Sequence, residues 1–573
     1  MKKSGRKEKR KNDNIYAIEN VYEECKKILK KSKLVKHVEK IKLETPKERI
    51  NADLAIPCFS LSKKPIELAL KLAEFFNKYK GKRLIKKAEA IGPYLNLQIN
   101  YENFAKNVIE DVIKMQEYYG ARNEGGGKIV IIDYSSPNVA KPMSIAHLRS
   151  TIIGQSLYNI LTFLGYRCIG DNHLGDIGTQ FGKLIVAYKL WGNKDRVEKE
   201  PIKELMNLYV RFHRESNERL EELARDYSKK MEEGDEEALA IWKWIVDLSK
   251  KEFNKIYEML RIKFDLELGE SFYLSMTKEV IEDAIRKGIA KESENALVIE
   301  FEDMPSLLIQ RSDKGSLYQT RDLATIKYRK KRFDFYKCLY VVGSEQKLYF
   351  KQLFKAAEML GYIKKDECVH VDFGLMRLKE GKLSTREGRV ILLEDLIKNA
   401  IELSKSLIKE AKNEEEKDEI AKKVGIGAII FNDLKEDRIK DVVFDWEKAL
   451  SMEGDSCPYV QYACVRAKSI IEKYGREISA KGLKFKNLEE EEKLLIRRIA
   501  DFPKIILIAA NSYKPHYIAQ YLLDVADAFN KFYEKHKVIG SEKEKERVAI
   551  VKAAYITLKV GLKLLNIELP EKM

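Results

Sequence analysis

Four side chains able to bind phosphate lie between a predicted buried strand and a predicted long helix. The apolar, β-branched run Ile129–Asp133 predicts the strand, and apolar residues recur at helical spacing from about Ser144 to Leu164. Free backbone N–H groups at the start of a helix attract phosphate. The pattern predicts a phosphate site, with a satisfied structural histidine in a buried helix as the alternative. The junction carries Lys141, Ser144, His147 and Arg149.

A second candidate cluster, Tyr318 and Asp322, is suited to a guanidinium group. The two residues are four apart in YQTRDLA, so they share one face if a helix begins near Tyr318. The planar fork of a guanidinium pairs bidentately with a carboxylate, and an ammonium group cannot copy this pairing. An ordinary surface ion pair between Arg321 and Asp322 is the alternative.

Several common sites have no support in the sequence. No G-x-G-x-x-G follows the strand, so a dinucleotide fold is not indicated. The pair Gly381-Lys382 lacks the earlier glycine of a phosphate loop, because Met376 stands in its place. The seven cysteines are odd in number and form no C-x-x-C, so neither a disulfide framework nor a structural zinc site is expected.

Length and charge indicate a chain of several domains with a polyanionic partner. A length of 573 residues suggests about three or four domains. The net charge of +17 favours nucleic acid as the partner, although a basic surface without any partner is the alternative. No run approaches the ~20 apolar residues of a membrane span. The basic N-terminus has no apolar segment after it, so a cytoplasmic protein is expected.

The segment SSPNVAKPM followed by HLRSTIIG resembles the HIGH region of arginyl-tRNA synthetases, a class I family. YQTRDLA is similar to the segment of that family that binds the substrate side chain, and Lys382 to Arg386, KLSTR, stands at the position of its KMSKS loop. The resemblance implies a Rossmann-like α/β catalytic core with an N-terminal α+β additional domain and an all-α C-terminal anticodon-binding bundle. The high content of charged residues, 34%, favours an archaeal or thermophile-like member.

The expected domain boundaries follow changes in composition and pattern. A basic arm occupies residues 1–14, and the N-terminal additional, tRNA-binding domain occupies 15–122. The catalytic domain is expected over 123–395, with a helical insertion at about 195–265. Connecting helices over 396–450 lead to the helical anticodon-binding domain, 451–573.

The resemblance implies arginine–tRNA ligase activity: ATP and L-arginine form an arginyl-adenylate, and the arginyl group passes to the 3′ end of tRNA(Arg). ATP would bring Mg²⁺, and a monomer is expected. The implied catalytic residues are Lys141, Ser144, His147, Lys382 and Ser384. The implied ATP-binding residues are Pro137, His147, His173, Gly175, Asp176, Gly178, Gln180 and Lys382. The implied arginine-binding residues are Asp133, Ser135, Asn138, Tyr318, Asp322 and Gln346.

Residues expected to bind tRNA come from two regions. Asn96 lies in GPYLNLQIN, the part of the N-terminal segment most similar to the family's additional domain. Tyr459, Tyr462 and Arg466 lie at i, i+3 and i+7, and aromatic rings with an arginine hold single-stranded loops. Bundle core is the alternative for the tyrosines. Met573 stands at a position that meets the anticodon loop in relatives.

One departure from the family pattern keeps two other functions open. The first histidine of the HIGH motif is Ser144 here, and its glycine is Ala146. A synthetase-derived tRNA-binding protein without catalysis would explain that loss, but the retained His147, Lys141 and KLSTR loop favour an enzyme. A class I synthetase of other specificity is the second alternative, and the YQTRDLA cluster argues against it.

Overall fold

The computed structural model describes residues 16–41, 43–44, 46, 52–312, 317–379 and 392–573. These residues form two units. The first unit comprises residues up to 122 together with 459–508 and 520–562, and the second comprises 123–458, 509–519 and 563–573. No helix within the described ranges is long and apolar enough to cross a membrane.

The N-terminal part of the first unit is a small α/β structure. Its three strands form an antiparallel sheet in which Tyr94–Ile99 lies between Leu54–Pro57 and Ile85–Ile91, and buried apolar residues of the helices pack on that sheet. Its elements are α1 (Ala17–Ser32), β1 (Leu54–Pro57), α2 (Pro65–Lys78), β2 (Ile85–Ile91), β3 (Tyr94–Ile99) and α3 (Tyr101–Met115). Short 3₁₀ helices span Val38–Lys40, Cys58–Ser60 and Gln116–Tyr118.

The second unit begins with the strand and helix predicted around the phosphate site. The strand is β4 (Ile129–Asp133), as expected, and the helix is α4 (Ile145–Phe163). After β5 (Arg167–Asp171), the chain forms a run of five helices, which begins before the segment 195–265 predicted as an insertion. They are α5 (Thr179–Trp191), α6 (Lys194–Lys199), α7 (Pro201–Glu215), α8 (Glu218–Glu233) and α9 (Glu236–Leu260).

The rest of the second unit completes the central sheet and leads to the connecting helices. Its elements are α10 (Thr277–Arg286), β6 (Ala290–Ser293), β7 (Ala296–Ile299), β8 (Leu307–Gln310), α11 (Tyr318–Phe333), β9 (Lys337–Tyr340), α12 (Lys347–Met359), β10 (Cys368–His370), β11 (Met376–Leu378), α13 (Leu393–Ser404), α14 (Glu414–Leu434), β12 (Val442–Phe444) and α15 (Trp446–Ala449). Further 3₁₀ helices span Glu270–Met276, Ser344–Gln346 and Lys405–Leu407.

The central sheet is parallel, in the order β10-β9-β4-β5. Asp133, at the end of β4, pairs in register with Asp171 on β5 and Tyr340 on β9. The C-terminal ends of three strands therefore meet at one edge, where open parallel sheets bind ligands.

The C-terminal part of the chain is helical, as expected. Its helices are α16 (Cys457–Tyr474), α17 (Glu490–Ser512), α18 (His516–Lys535) and α19 (Glu544–Leu564). Most residues of α16 to α19 belong to the first unit. All seven cysteines of the chain are buried free thiols.

Candidate active site

A pocket of about 750 Å³ opens at the C-terminal edge of the parallel sheet. It gathers side chains from the β4–α4 loop, the start of α4, the loop after β5, the first turn of α11 and the segments after β9 and β10. The lining residues include Asp133, Ser135, Asn138, His147, His173, Gly175, Glu270, Tyr318, Asp322, Gln346, Tyr349 and Gly374. Six segments that are distant in sequence therefore form one site.

The β4–α4 loop has an unusual backbone that brings its polar groups to the pocket. Ser135 and Ser136 have φ values of 71° and 46°, a region that non-glycine residues rarely occupy. Hydrogen bonds hold these residues: Ser135 N donates to Ser150 Oγ at 2.9 Å, and Ser136 N donates to Asn172 Oδ1 at 3.1 Å. Such strained backbone is typical of functional loops.

The start of α4 presents one ring nitrogen of His147 to the pocket. Ser144 is the N-cap residue of α4, and its backbone N–H donates to His147 Nδ1 at 3.0 Å. Because Nδ1 accepts that bond, the imidazole proton resides on Nε2, which is therefore a donor. Burial lowers the pKa of His147, so the ring is neutral at neutral pH. A neutral N–H donor beside a helix N-terminus suits a phosphate oxygen.

Arg149 does not lie at the predicted phosphate site, which corrects the sequence analysis. Its side chain is fully buried, and its Nε lies 2.7 Å from Asp433 Oδ1 on α14. Its Nη1 donates to the carbonyl oxygens of Gly374 at 2.5 Å and Lys440 at 3.0 Å. Arg149 therefore fixes α4 to the segment leading into β11. Lys141 and Ser144 are also not among the residues that line the pocket.

Behind the pocket, a buried arginine joins the ends of β4 and β5. Arg329 of α11 is fully buried, and its Nη2 lies 2.7 Å from Asp133 Oδ2 and 2.8 Å from Asp171 Oδ2. One guanidinium thus pairs with two carboxylates, so the cluster of Arg329, Asp133 and Asp171 keeps a net negative charge. Asp133 also lines the pocket, where a positively charged ligand group would compensate that charge. Sequence reasoning missed Arg329, which is 196 residues from Asp133.

Tyr318 and Asp322 lie together in the pocket, because α11 begins at Tyr318. The Tyr349 hydroxyl donates a hydrogen bond to Asp322 Oδ2, and the Tyr349 ring lies 5.2 Å from the Tyr318 ring. Burial raises the pKa of Asp322 to about 7, although the bond from Tyr349 opposes this effect. Gln346 lines the same region. Tyr349, which sequence reasoning missed, is thus part of the cluster.

Arg321, the neighbour of Asp322, pairs with a different carboxylate. Its Nη2 lies 2.9 Å from Glu270 Oε2, and its Nε lies 3.0 Å from the same atom. The surface pair between Arg321 and Asp322 considered from the sequence is therefore replaced by an ion pair with Glu270. This arrangement leaves the Asp322 carboxylate facing the pocket.

Some residues of the glycine-rich loop after β5 line the pocket, and others contact the protein interior. His173 and Gly175 line the pocket, and a Cβ on Gly175 would lie 2.3 Å from Asn138 Oδ1. Asp176 instead accepts hydrogen bonds from Ser271 N at 2.8 Å and Ser271 Oγ at 2.6 Å, so its carboxylate holds a neighbouring turn.

Three other predicted ATP-binding residues, Pro137, Gly178 and Gln180, do not line the pocket. The Pro137 carbonyl accepts a hydrogen bond from Gly175 N at 3.2 Å. Gly178 and Gln180 lie at the start of α5, with Gly178 as its N-cap residue. Lys382 and Ser384 fall outside the described residues.

The residues predicted to bind tRNA lie in three places. Asn96 lies in β3. Arg466 stacks between the rings of Tyr462 and Tyr533, at 4.6 and 4.7 Å from the ring centroids, and its Nη1 donates to Asn530 Oδ1 at 3.1 Å. Sequence reasoning missed Tyr533, which is 41% exposed. Tyr459 is half-buried on the same helix as Arg466, whereas Met573 packs beside the apolar cluster Ile408, Ile420, Ala421 and Val424.

Within the described ranges, no group of three or more His, Cys, Asp or Glu residues is arranged as metal ligands.

Comparison with known proteins identifies the family of all three regions of the chain. The model for the catalytic domain of class I tRNA synthetases (R) matches residues 108–446. The model for the arginyl-tRNA synthetase N-terminal domain matches residues 18–99, and the model for the DALR anticodon-binding domain matches 460–573.

Individual relatives cover nearly the whole chain. The arginine–tRNA ligase of Halothermothrix orenii is 45% identical over 93% of this chain and 95% of its own length. That of Clostridium perfringens is 44% identical over 94% of this chain and 97% of its own. The expected archaeal or thermophile-like character is not borne out, because these relatives are bacterial.

Solved structures share the fold. The arginyl-tRNA synthetase of Plasmodium falciparum aligns with a TM-score of 0.81 at 24% identity, covering 98% of this chain and 100% of that one. That of Thermus thermophilus aligns with a TM-score of 0.80 at 22% identity, covering 97% and 99%. The predicted fold class, a class I core with an N-terminal domain and a helical anticodon-binding domain, is confirmed. Since the catalytic-domain model spans more than half of the chain, the chain belongs to the arginyl family of class I tRNA synthetases.

Proposed function

We propose that this chain is an arginine–tRNA ligase, which activates L-arginine with ATP and transfers it to the 3′ end of tRNA(Arg). The observation that carries the proposal is the convergence of Asp322, Tyr318 and His147 in one pocket of a chain from the arginyl family. A carboxylate suited to a guanidinium and an N–H donor suited to a phosphate are the two groups that the first step requires.

The triphosphate is proposed to bind at the start of α4. His147 Nε2 would donate to a phosphate oxygen, and Lys141, Lys382 and Ser384 would add cationic and hydroxyl donors as pyrophosphate leaves. Ser144 would act on His147 through its backbone N–H. The remaining ATP contacts are proposed to come from Pro137, Gly175, Gly178 and Gln180. Mg²⁺ commonly binds through substrate phosphates, and it is proposed to enter with ATP and to neutralise charge there.

Arginine is proposed to span the pocket from β4 to α11. Asp133 would pair with its α-ammonium group, and Asp322, Tyr318 and Gln346 would bind its guanidinium. Ser135 and Asn138 would supply further hydrogen bonds from the β4–α4 loop. No group of the enzyme needs to form a covalent bond with the substrate, so catalysis rests on positioning and on stabilising charge.

The tRNA is proposed to bind through both ends of the chain. Asn96 would contact the outer corner of the tRNA, and Tyr459, Tyr462 and Arg466 would contact the anticodon loop. Met573 at the C-terminus is proposed as a further contact. We also propose a cytoplasmic, monomeric enzyme.

The decisive experiment measures arginine-dependent exchange between ATP and pyrophosphate, with and without tRNA(Arg). Exchange that depends on arginine would support the proposed reaction, and exchange that appears only with tRNA(Arg) would show that the tRNA takes part in activation. Exchange with another amino acid instead of arginine would refute the specificity. Tight tRNA binding without any exchange would favour a non-catalytic tRNA-binding protein.

A further inference from the structure

One buried group in the pocket has no role in the reaction as proposed above. The Nε2 atom of His173 is buried and has no hydrogen-bond partner among the described residues. It lies 3.9 Å from Asp322 Oδ1, and His173 lines the pocket. A buried polar atom without a partner is costly, so native structures usually retain one for a ligand or a water.

The hydrogen bonding of the ring defines what His173 can bind. Its Nδ1 lies 3.1 Å from the carbonyl oxygen of Leu268, which can only accept, so Nδ1 carries the proton. Nε2 therefore presents a lone pair and is an acceptor. Burial lowers the pKa of His173 to about 4, so the ring keeps this neutral form at neutral pH. An unprotonated nitrogen cannot donate to a phosphate oxygen, which disfavours a triphosphate contact at this atom.

The Asp322 carboxylate cannot by itself accept all the hydrogen bonds that a guanidinium donates. A guanidinium has five N–H donors, and Asp322 Oδ2 is already engaged by the Tyr349 hydroxyl. A terminal NH₂ group whose two hydrogens both form bonds of normal length reaches acceptors about 4 to 5 Å apart. The distance of 3.9 Å between His173 Nε2 and Asp322 Oδ1 is close to that spacing.

We propose that His173 is a specificity-determining residue whose Nε2 accepts a hydrogen bond from the guanidinium of the substrate, beside Asp322. This inference rests on the proposed arginine-activating function and differs from the ATP contact expected from the sequence. The other donor that could use Nε2 is the amino group of adenine, and the experiment separates the two.

The test uses His173→Asn and His173→Gln in the full chain, assayed by arginine-dependent pyrophosphate exchange with tRNA(Arg) present. An asparagine amide can replace Nδ1 at the Leu268 carbonyl, but it places no acceptor near Nε2. A glutamine amide reaches the Nε2 position. We expect His173→Asn to raise the KM for arginine by roughly 10- to 100-fold, the size of a lost hydrogen bond to a charged group. The KM for ATP should stay within about twofold, and His173→Gln should recover much of the arginine affinity.

A matched control and a second variant keep the outcomes distinct. His536→Asn removes another half-buried imidazole, one whose Nε2 lies 3.1 Å from Glu491 Oε2, and neither residue lines the pocket, so both KM values should be unchanged. His173→Ala replaces the asparagine variant if that protein does not fold. A rise in the KM for ATP alone, or no change in either KM, would overturn the inference while the proposed function stands. Absence of arginine-dependent exchange in the unmodified chain would overturn both.

Discussion

Replacing Tyr349 by phenylalanine should move the pH dependence of arginine activation upward. The Tyr349 hydroxyl donates to Asp322, and this bond opposes the burial that raises the Asp322 pKa to about 7. The other charged groups that act on Asp322 are Glu270 and Asp133, which raise its pKa, and Arg321, which lowers it. His173 also faces it, but its ring is neutral at neutral pH. These groups remain in Tyr349→Phe, so only the hydrogen bond is removed.

The size of the change follows from the strength of that bond. A hydrogen bond to a charged group contributes roughly 1.5–3 kcal/mol, and about 1.4 kcal/mol corresponds to one pH unit. The Asp322 carboxylate should therefore titrate roughly one to two pH units higher in the variant. Only the ionised carboxylate attracts the arginine cation, so kcat/KM for arginine falls as the pH drops below the pKa. At pH 7 the ionised fraction of Asp322 falls from about one half to roughly 1–10%, so the variant should lose roughly 5- to 50-fold in kcat/KM.

The assay is arginine-dependent pyrophosphate exchange from about pH 6 to 9, at saturating ATP and tRNA(Arg), and kcat/KM reports the free enzyme. Tyr362→Phe is the matched control, because it removes a tyrosine hydroxyl 2.9 Å from Asp283 Oδ2, and neither residue lines the pocket. Its profile should match that of the unmodified chain. If the inflection in Tyr349→Phe stays in place or moves to lower pH, the assignment of Asp322 as the titrating group is refuted.

Three further predictions concern the buried ion pair, the glycine loop and the bundle. Asp433→Ala should lower the free energy of unfolding by about 3–5 kcal/mol in denaturant melts, because it leaves the Arg149 charge buried without its carboxylate. A loss below about 1 kcal/mol would show that the carbonyl oxygens around Arg149 are enough to stabilise its buried charge. Gly175→Ala should raise the KM for arginine or ATP at least roughly 10-fold without changing the melting temperature, because the new Cβ would displace Asn138 Oδ1. Unchanged KM values would show that the position of Asn138 beside Gly175 does not matter for substrate binding. Arg466→Ala should weaken tRNA(Arg) binding and reduce the salt slope by about one, measured by filter binding at several salt concentrations; an unchanged affinity would place the anticodon loop elsewhere.

Local patterns predicted the parts of the site that lie within a single strand or helix turn. The run Ile129–Asp133 and the helix after Ser144 were found because buried strands and helices have short periods. The same reasoning wrongly placed Arg149 at the phosphate site, although its spacing from His147 already argued against that position. Residues two apart on a helix point in nearly opposite directions, so His147 and Arg149 do not face the same ligand.

The remaining parts of the site depend on contacts between distant segments. Arg329 meets Asp171 and Asp133 across 158 and 196 residues, and the sequence offers no period that links them. The buried Arg329 is followed by Lys330, Lys331 and Arg332, so composition does not distinguish it from these less buried neighbours. Such pairings are set by the topology of the sheet, which places the ends of β4 and β5 side by side.

The charges around the pocket give its two ends opposite preferences. At the proposed arginine end, the described residues bring together four carboxylates and two guanidinium groups, those of Asp133, Asp171, Asp322 and Glu270 with Arg329 and Arg321. That excess of negative charge favours a cationic side chain and disfavours a triphosphate. At the start of α4, the free backbone N–H groups and the Nε2–H of His147 favour the anion instead. Arginine and ATP bound in the opposite order would each meet charges of their own sign, so the electrostatics of the pocket select one orientation for the pair before any covalent step begins.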